Sequence, residues 1–350
     1  MKIKFPILSI LVKKSEPIKG MFIQPRMRTS LEITEEYIKL AQFEYIKEMP
    51  RLIHLVTRKI PSPNEEDAVK TLRVALSGLK IKGPVLSCLS RHQVTVRYLK
   101  LPSANTGELE AMLDFQVAKQ IPYPREETLY SYLAINIDPS GYTDVLLAIV
   151  HQEVVCRHLR ILKACNLEPE LVSFNALASS AWFLHINRQP EEAVLFVDVD
   201  AIYTDIGIID SQGLSFTRTV KLGGNDFESE HAAAALKQLN EEARLSVSSY
   251  EKDSGASAVK RIILTGAVSI LDKIKGAFEK ELRFEVEIKL PLEGIEVSKN
   301  VLEKNWFDMH KVSLSAVLGL GLEKEALCGL NLLPPSVKAG RDKVKTKHEI

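Results

Sequence analysis

Three strand–turn segments of this chain stand where a polyphosphate and its magnesium could be held, two of them with acidic residues. Such a turn grips phosphate through backbone N–H groups and asks for glycine, because a side chain blocks the approach. The first segment, Leu31-Glu32-Ile33-Thr34-Glu35-Glu36-Tyr37-Ile38-Lys39, offers Glu32 as the acid but has Thr34 where glycine is wanted. The second, Val197-Asp198-Val199-Asp200-Ala201-Ile202-Tyr203, offers Asp198 and puts Asp200 at the glycine position. The third, Leu264-Thr265-Gly266-Ala267-Val268-Ser269, keeps Gly266 alone of the glycines that would open a slot for a nucleoside. Glu32, Thr34, Asp198, Asp200 and Gly266 thus form a candidate cofactor site in degenerate form. Glu35 and Glu36 stand where phosphate should meet hydroxyls, and each carboxylate there costs about 1–4 kcal/mol at effective dielectrics between water and about 20. No cofactor is expected, and ATP with magnesium would bind only if this site survives its substitutions.

Other chemistry finds less support. Asp198 and Asp200 alternate along a strand, so they face opposite sides and make no catalytic dyad unless a turn at Asp200 rearranges them. His151 and His158 are too isolated to suggest a metal, and no G-x-S-x-G, H-E-x-x-H or P-loop pattern occurs. Catalytic and metal-ligating residues are therefore both expected to be none. Cys88, Cys156, Cys165 and Cys328 form no C-x-x-C pair and read as small buried apolar residues in a reducing compartment. A formal net charge of +1 argues against a nucleic-acid binder, and an aromatic content of 7% gives little material for base stacking.

The end of the chain is more informative. Val312–Leu322 reads as a small-residue apolar helix suited to close packing, and Asn331-Leu332-Leu333-Pro334-Pro335 breaks from it. Lys338, Arg341, Lys343, Lys345 and Lys347 come next, which would suit an anionic membrane face. No apolar run reaches the roughly 18–20 residues of a spanning helix. The apolar run Phe5–Val12 is followed by Lys13-Lys14 rather than a small-residue cleavage site, so a cytoplasmic chain is expected.

The elements that must position these residues alternate in type. Strands are expected at Thr29–Ile33, Tyr37–Phe43, Val94–Leu99, Leu129–Ile137, Val145–Val150, Ala193–Val199, Ile202–Ile209, Leu214–Val220 and Arg261–Thr265. Helices are expected from Glu65 to Gly78 with Asn64 as N-cap, and at Gly107–Gln120, Glu153–Cys165, Phe227–Glu242 and Ser269–Glu281. Both halves open strand–turn–strand, which points to an α/β chain of two related lobes with a small α+β module inserted in the first. The expected boundaries are an extension over 1–27, a first lobe from 28–89 with 168–190 and 310–330, a module over 90–167, a second lobe over 191–309, and a basic tail over 331–350.

Several segments in order and spacing carry a family resemblance. They are Gly107–Gln116 with Lys119-Gln120-Ile121-Pro122-Tyr123-Pro124, Val145–Pro169, Phe216-Thr217-Arg218 with Leu222-Gly223-Gly224, Ile263–Gly266 and Ala316–Gly321. From about Arg28 to Pro335 the chain resembles PilM, the actin-like protein of type IV pilus assembly, and the related cytoplasmic domain of the type II secretion protein GspL. The resemblance implies an actin-like (RNase H-like) fold of two lobes, with an inserted module in place of one actin subdomain, as in FtsA. It also implies binding of an Asn-Leu-Leu-Pro segment at the start of PilN. Here Asn331, Leu332, Leu333 and Pro334 put that segment on the chain itself, as in a fusion, and they are the candidate partner-binding residues.

The resemblance further implies a cytoplasmic scaffold at the inner face of the inner membrane, with peripheral membrane association. Its partners would be PilN/PilO-like or GspL/GspM-like inner-membrane proteins and an assembly ATPase, without nucleic acid. Typical PilM loops keep their glycines, so the fold and scaffold role carry over more readily than the nucleotide, and no enzyme activity is expected. The alternatives are an actin-like protein that still binds ATP weakly and a sugar-kinase-like phosphotransferase.

Overall fold

The computed structural model describes residues 26–121, 124–187, 190, 192–254, 258–302, 310–323 and 327–338. Strands β1 (Arg26–Ile33), β2 (Tyr37–Ile46) and β3 (Met49–Lys59) form an antiparallel meander. Arg26 and Met27 pair with Tyr45 and Glu44, so the first strand already includes the last two residues expected in the extension; residues 1–25 lie outside the described ones. Helix α1 (Glu65–Leu76) begins at Asn64, whose side chain accepts from the Asp67 N–H as the sequence suggests. Strand β4 (Val85–Leu89) then runs parallel to β1.

The chain leaves this sheet after a short turn at Arg91–Gln93 and builds β5 (Thr95–Leu101), helix α2 (Thr106–Gln120), β6 (Thr128–Ile137) and β7 (Thr143–His151). The three strands pair antiparallel in the order β5-β7-β6. Asn105 accepts from the N–H groups of Gly107 and Glu108 and starts α2. Leu109, Leu113 and Val117, spaced four apart, come up on one face of that helix. They bury against Leu101, Val145, Leu147 and Ile149, giving the module its own small core. Because side chains alternate across a strand, Leu146, Ala148 and Val150 point the other way, into the large core of the first lobe.

Helix α3 (Gln152–Ala164) comes next, then β8 (Pro169–Phe174) parallel to β4, and helix α4 (Asn175–Asn187). Ile161 and Leu162 of α3 pack with Leu72 and Ala75 of α1. The helix therefore serves as the β4-to-β8 crossover of the first lobe, whereas the expected 90–167 block had placed it in the module. Chain order hid this, because the whole module sits between β4 and its crossover helix.

The second lobe repeats the first. It comprises β9 (Val194–Val199), β10 (Thr204–Asp210), β11 (Gly213–Val220), α5 (Gly224–Phe227), α6 (Ala232–Ser254), β12 (Arg261–Gly266), α7 (Val268–Leu282) and β13 (Glu285–Ile288). Strand β14 (Glu296–Val297) and helix α8 (Lys299–Leu302) return to β3, so the chain is back on the first lobe before the expected residue 310. Helix α9 (Ser315–Leu322) packs along α4 and the backs of β1 and β2. It can lie this close because Gly319 has no side chain: a Cβ there would stand 1.9 Å from the Ala178 carbonyl oxygen.

Among the described residues the two large sheets run β14-β3-β2-β1-β4-β8 and β11-β10-β9-β12-β13. Setting β14 aside, both have three antiparallel strands followed by two parallel ones in the same order. The turns after β1 and β9 are equivalent by this symmetry, and they face each other. Their side chains define the site.

Leu113 is fully buried in the module core, while Phe115 on the same helix is 60% exposed. Leu113→Asp should lower stability by about 3–5 kcal/mol, since it removes apolar packing and buries an unpaired charge. Phe115→Asp should cost less than about 1 kcal/mol. Denaturant unfolding of the two variants checks the inward face of α2.

Candidate functional site

Strand β2 reads Tyr37-Ile38-Lys39-Leu40-Ala41-Gln42-Phe43 and has both faces covered, so alternation leaves Lys39 no route to water. Its side chain is 1% exposed. The ammonium lies 2.7 Å from Asp200 Oδ2 and 3.0 Å from Glu32 Oε2. Asp200 comes from the β9–β10 turn of the other lobe, so one cation joins the two lobes. The contact to Asp200 is an aligned hydrogen bond, and the one to Glu32 is an ion pair. Burial pushes the Glu32 carboxyl up to about 7 against the pull of Lys39, with Asp200 and Asp198 raising it further. Burial pulls the Lys39 ammonium down, but Asp200 and Glu32 together hold it above its ordinary range.

Asp198 and Asp200 share neighbours despite alternating on the strand. The turn folds Asp200 back, its N–H donating to the Tyr203 carbonyl at 2.9 Å. Its Oδ1 accepts from the Ser313 N–H at 3.0 Å. Asp198 Oδ2 accepts from Ser179 of α4 at 2.9 Å and from Ser315 of α9. Burial raises the Asp198 carboxyl and those seryl hydroxyls oppose it, while its Oδ1 is buried without a partner among the described residues. Gly266 has a φ of +118°, and a Cβ there would meet the Val199 carbonyl oxygen at 2.1 Å. It lets the end of β12 close on β9, so its glycine serves the fold.

The remaining turn residues also reach across. Thr34 closes its own turn by accepting from the Tyr37 N–H at 2.9 Å. Tyr203 stacks on His92 with ring centroids 4.2 Å apart, and its hydroxyl donates to Glu35 at 3.4 Å. Asn225 donates to Glu36 at 3.3 Å, and Arg91 donates to the Thr217 carbonyl at 3.0 Å. Glu35 and Glu36, expected only to repel phosphate, hold the lobes together. The space left between these turns is about 20 Å³, lined by Thr34, Glu35, Ser90, His92, Asp200 and Tyr203 among others. That is room for one water, whereas ligand pockets run to about 300–1,000 Å³.

The candidate partner segment lies elsewhere, at the outer edge of β8. Leu332 donates its N–H to the Val172 carbonyl at 2.8 Å. Asn331 clamps the same edge: Oδ1 accepts from the Val172 N–H at 3.2 Å, and Nδ2 donates to the Glu170 carbonyl at 3.1 Å. Its own N–H donates to Ser131 of β6 at 3.0 Å, so the segment spans lobe and module. Leu332 and Leu333 are 1% and 2% exposed, and Pro334 sits beside them at the surface. Lys338 donates to the Asn331 carbonyl at 2.7 Å; Arg341, Lys343, Lys345 and Lys347 lie outside the described residues.

The structure thus gathers Glu32, Thr34, Asp198, Asp200 and Gly266 around one seam and sets Asn331–Pro334 apart from them. Lys39 is the member that sequence reasoning missed. The available signal was a lysine sharing its strand face with Ala41 and Phe43, a position that calls for a buried counter-charge. His151 caps α3 and His158 bonds Ser87, so the two do not converge, and no metal-binding group occurs among the described residues. Of the cysteines only Cys88 is buried; Cys156 and Cys165 are half-buried and Cys328 is exposed, which corrects their uniform reading as core residues.

Two lobes with the same strand order, facing acidic turns and an inserted module define an actin-like protein. The family model for the type IV pilus assembly protein PilM matches residues 55–243, more than half of the chain, and the chain belongs to that family. No curated protein matches it in sequence. Among solved structures it is similar to the PilM–PilN type IV pilus biogenesis complex, with TM-score 0.72 and 19% identity over 88% of this chain and 99% of that one. It also matches the cytoplasmic domain of EpsL, an inner-membrane component of the Vibrio cholerae type II secretion system, at 0.48 and 16% identity, over 89% of this chain and all of that one. A Bacteroides thetaiotaomicron protein of actin-like ATPase fold and unknown function matches at 0.47 and 11% identity, over 75% and 91% of the two chains. No described helix is long and apolar enough to cross a membrane.

Removing one partner from a buried ion group leaves the others uncompensated, at a cost of about 3–5 kcal/mol. Lys39→Met should show this loss in denaturant unfolding. Adding Glu32→Gln should recover more than half of it, because the substitution removes one of the two stranded charges. Equal stability of wild type and Lys39→Met would mean the acids take protons without consequence and the bridge is idle.

Proposed function

We propose that this chain is a non-catalytic scaffold of a type IV pilus or type II secretion-like assembly platform, working on the cytoplasmic face of the inner membrane. The observation that carries the reading is the Lys39 bridge between Glu32 and Asp200. A nucleotide with its magnesium would have to enter a seam where these acids are already matched by a resident cation. It would also have to part Glu35 and Glu36 from Tyr203 and Asn225. The two lobes are thereby held as one body without a cofactor, which suits a part whose task is to hold others in place. Enzymatic turnover is not part of this reading.

The partner side rests on Asn331–Pro334. The resemblance assigns an Asn-Leu-Leu-Pro segment to PilN, and the similar solved structure is a PilM–PilN complex. In this chain the segment is seated in cis on the edge of β8, with burial of the two leucines contributing roughly 1.5–3 kcal/mol each. A tethered segment has an effective concentration of about millimolar, so it outcompetes a free peptide. The partners of this reading are PilN/PilO-like or GspL/GspM-like inner-membrane proteins and an assembly ATPase, with peripheral association at the membrane surface.

Two measurements test the proposal. Calorimetry with magnesium–ATP should give no binding tighter than about 100 µM, near −5.5 kcal/mol; a tighter constant would restore the ATP-binding alternative. Leu332→Asp should empty the groove, so that a synthetic peptide covering residues 329–337 binds the variant at least tenfold tighter than it binds wild type. If peptide affinity is the same for both, the cis segment is not what fills the groove.

A further inference from the structure

We propose that the interlobe seam is a proton-operated latch, shut while Asp198 and Asp205 carry a proton between them and loosened once both are ionised. The register of the second sheet sets these two acids against each other. Asp198 of β9 pairs with Asp205 of β10, and Asp205 pairs with Thr219 of β11. Residues directly opposite on neighbouring strands share a face, with Cβ atoms about 4.5–5.5 Å apart, and like charges there repel. That face looks into the seam. Asp198 is bonded to Ser179 and Ser315 of the first lobe, and Asp205 lines the space between the turns. Both residues are buried, at 5% and 8% exposure.

Among the described residues no cation is bonded to either acid. Lys39 is spent on Asp200 and Glu32. Arg91 donates to the carbonyls of Val94 at 2.6 Å and Thr217 at 3.0 Å, and its Nε is buried without a partner there. Asp198 Oδ1 is likewise unpartnered, and Asp205 Oδ1 accepts from the Thr219 hydroxyl. Four carboxyls, Glu32, Asp198, Asp200 and Asp205, thus meet two cations, Lys39 and Arg91. Full ionisation leaves two negative charges in excess. The other titratable groups around the seam do not offset them. Burial keeps the Tyr98 hydroxyl and the Cys88 thiol neutral and holds the His92 imidazole below its ordinary range. Glu35 and Glu36 at the rim are further acids, Tyr203 beside them is raised by burial, and Lys221 lies out near His92.

The direction of the response follows from linkage. Burial pushes the Asp205 carboxyl up to about 7; Thr219 opposes this, Asp198 adds to it and Arg91 opposes it. Asp198 is raised as well, by burial before all else. When the lobes part, both carboxyls meet water and return towards the ordinary value of about 4. An acid raised in the shut state favours that state fully below about 4, and the advantage is lost as pH climbs through about 7. The seam is therefore tight in mild acid and looser above neutrality. Lys39, held above its ordinary range, gives way only in strong alkali and leaves this window alone. His92 acts in the reverse sense, since a lowered imidazole favours the open seam as pH falls below about 6.5.

Amide exchange of the full chain, free of nucleotide, tests the latch. The reporter is the Ser313 N–H, which crosses the seam to Asp200 Oδ1, and the control is the Leu113 N–H in the core of the module. After correction for the chemical rate, opening at Ser313 should rise about tenfold or more from pH 6 to pH 8 while Leu113 stays level. Asp205→Asn removes one of the opposed acids and should cut that rise to a third or less. Thr219→Val provides a second check with little disturbance to the sheet. It removes the hydroxyl that favours ionised Asp205, so the rise should move to higher pH. No rise in the wild type, an equal rise at Leu113, an unchanged rise in Asp205→Asn, or no upward move in Thr219→Val would each overturn the latch. None of these readings depends on whether the seam binds ATP or on which partners the chain holds.

Discussion

The structure turns on one buried cation. Lys39 stands at the centre of β2 in the first lobe, and its nearest carboxylate, Asp200, belongs to the second. An ammonium in that position has no water to fall back on, so the two lobes must meet closely enough to supply its counter-charges. Other interlobe contacts stand around that approach. Among them are the His92–Tyr203 stack, the hydrogen bonds of Glu35 and Glu36, the reach of Arg91 to Thr217 and the bonds of Asp198 to Ser179 and Ser315. Taking charges out of water is expensive, and an apolar trio of similar volume could be as stable. The bridge is therefore better understood as fixing how the lobes sit than as a source of net stability. Each charge tolerates only arrangements in which its partner is present.

For the same reason the seam need not bind a nucleotide to remain closed. An open phosphate site is held together by its ligand, since facing acidic turns repel each other until a cation and its polyphosphate come between them. Here Glu32, Asp198 and Asp200 converge, and at 4 Å each pair of unit charges repels by up to about 4 kcal/mol at an effective dielectric of 20. One ammonium and three seryl hydroxyls or amides, from Ser179, Ser313 and Ser315, take up most of that charge from within the chain. The rest is relieved by protons, as the elevated pKa values of Glu32 and Asp198 indicate.

How much of this the sequence discloses depends on the kind of element. Meanders and amphipathic helices announce themselves: Leu109, Leu113 and Val117 give the inner face of α2 directly, and Asn64 marks the start of α1. Helix α4 does not, because Ala176 to Phe183 are buried on every side and no period survives. Strands β3, β4 and β8 escaped for related reasons. Met49–Lys59 mixes charges into an edge-side strand, and Val85–Leu89 is a five-residue apolar run with no alternation. The acids of the site were legible from the turns they occupy. Lys39 was not recognised as their counter-charge, because it belongs to a strand, and only the fold shows that this strand is covered on both faces. Nothing in chain order could place the Asn331 segment beside Val172, since that contact spans more than 150 residues.

The seam and the groove are joined by continuous structure. Asp198 at the end of β9 is bonded to Ser179 on α4 and Ser315 on α9, so the strand that carries the second turn is pinned to two helices of the first lobe. Those helices lie in direct contact through Gly319, close enough that backbone meets backbone. Leu318 and Leu320 of α9 belong to one core cluster with Leu330, Leu332 and Leu333 and with Trp182 and Phe183 of α4. Ordered elements therefore connect the buried charges to the docked segment. Close packing of this kind transmits position faithfully and deforms little. It holds the docked Asn331–Pro334 segment in one position relative to both lobes and the module, which is the property the proposed scaffold needs and a hinge lacks.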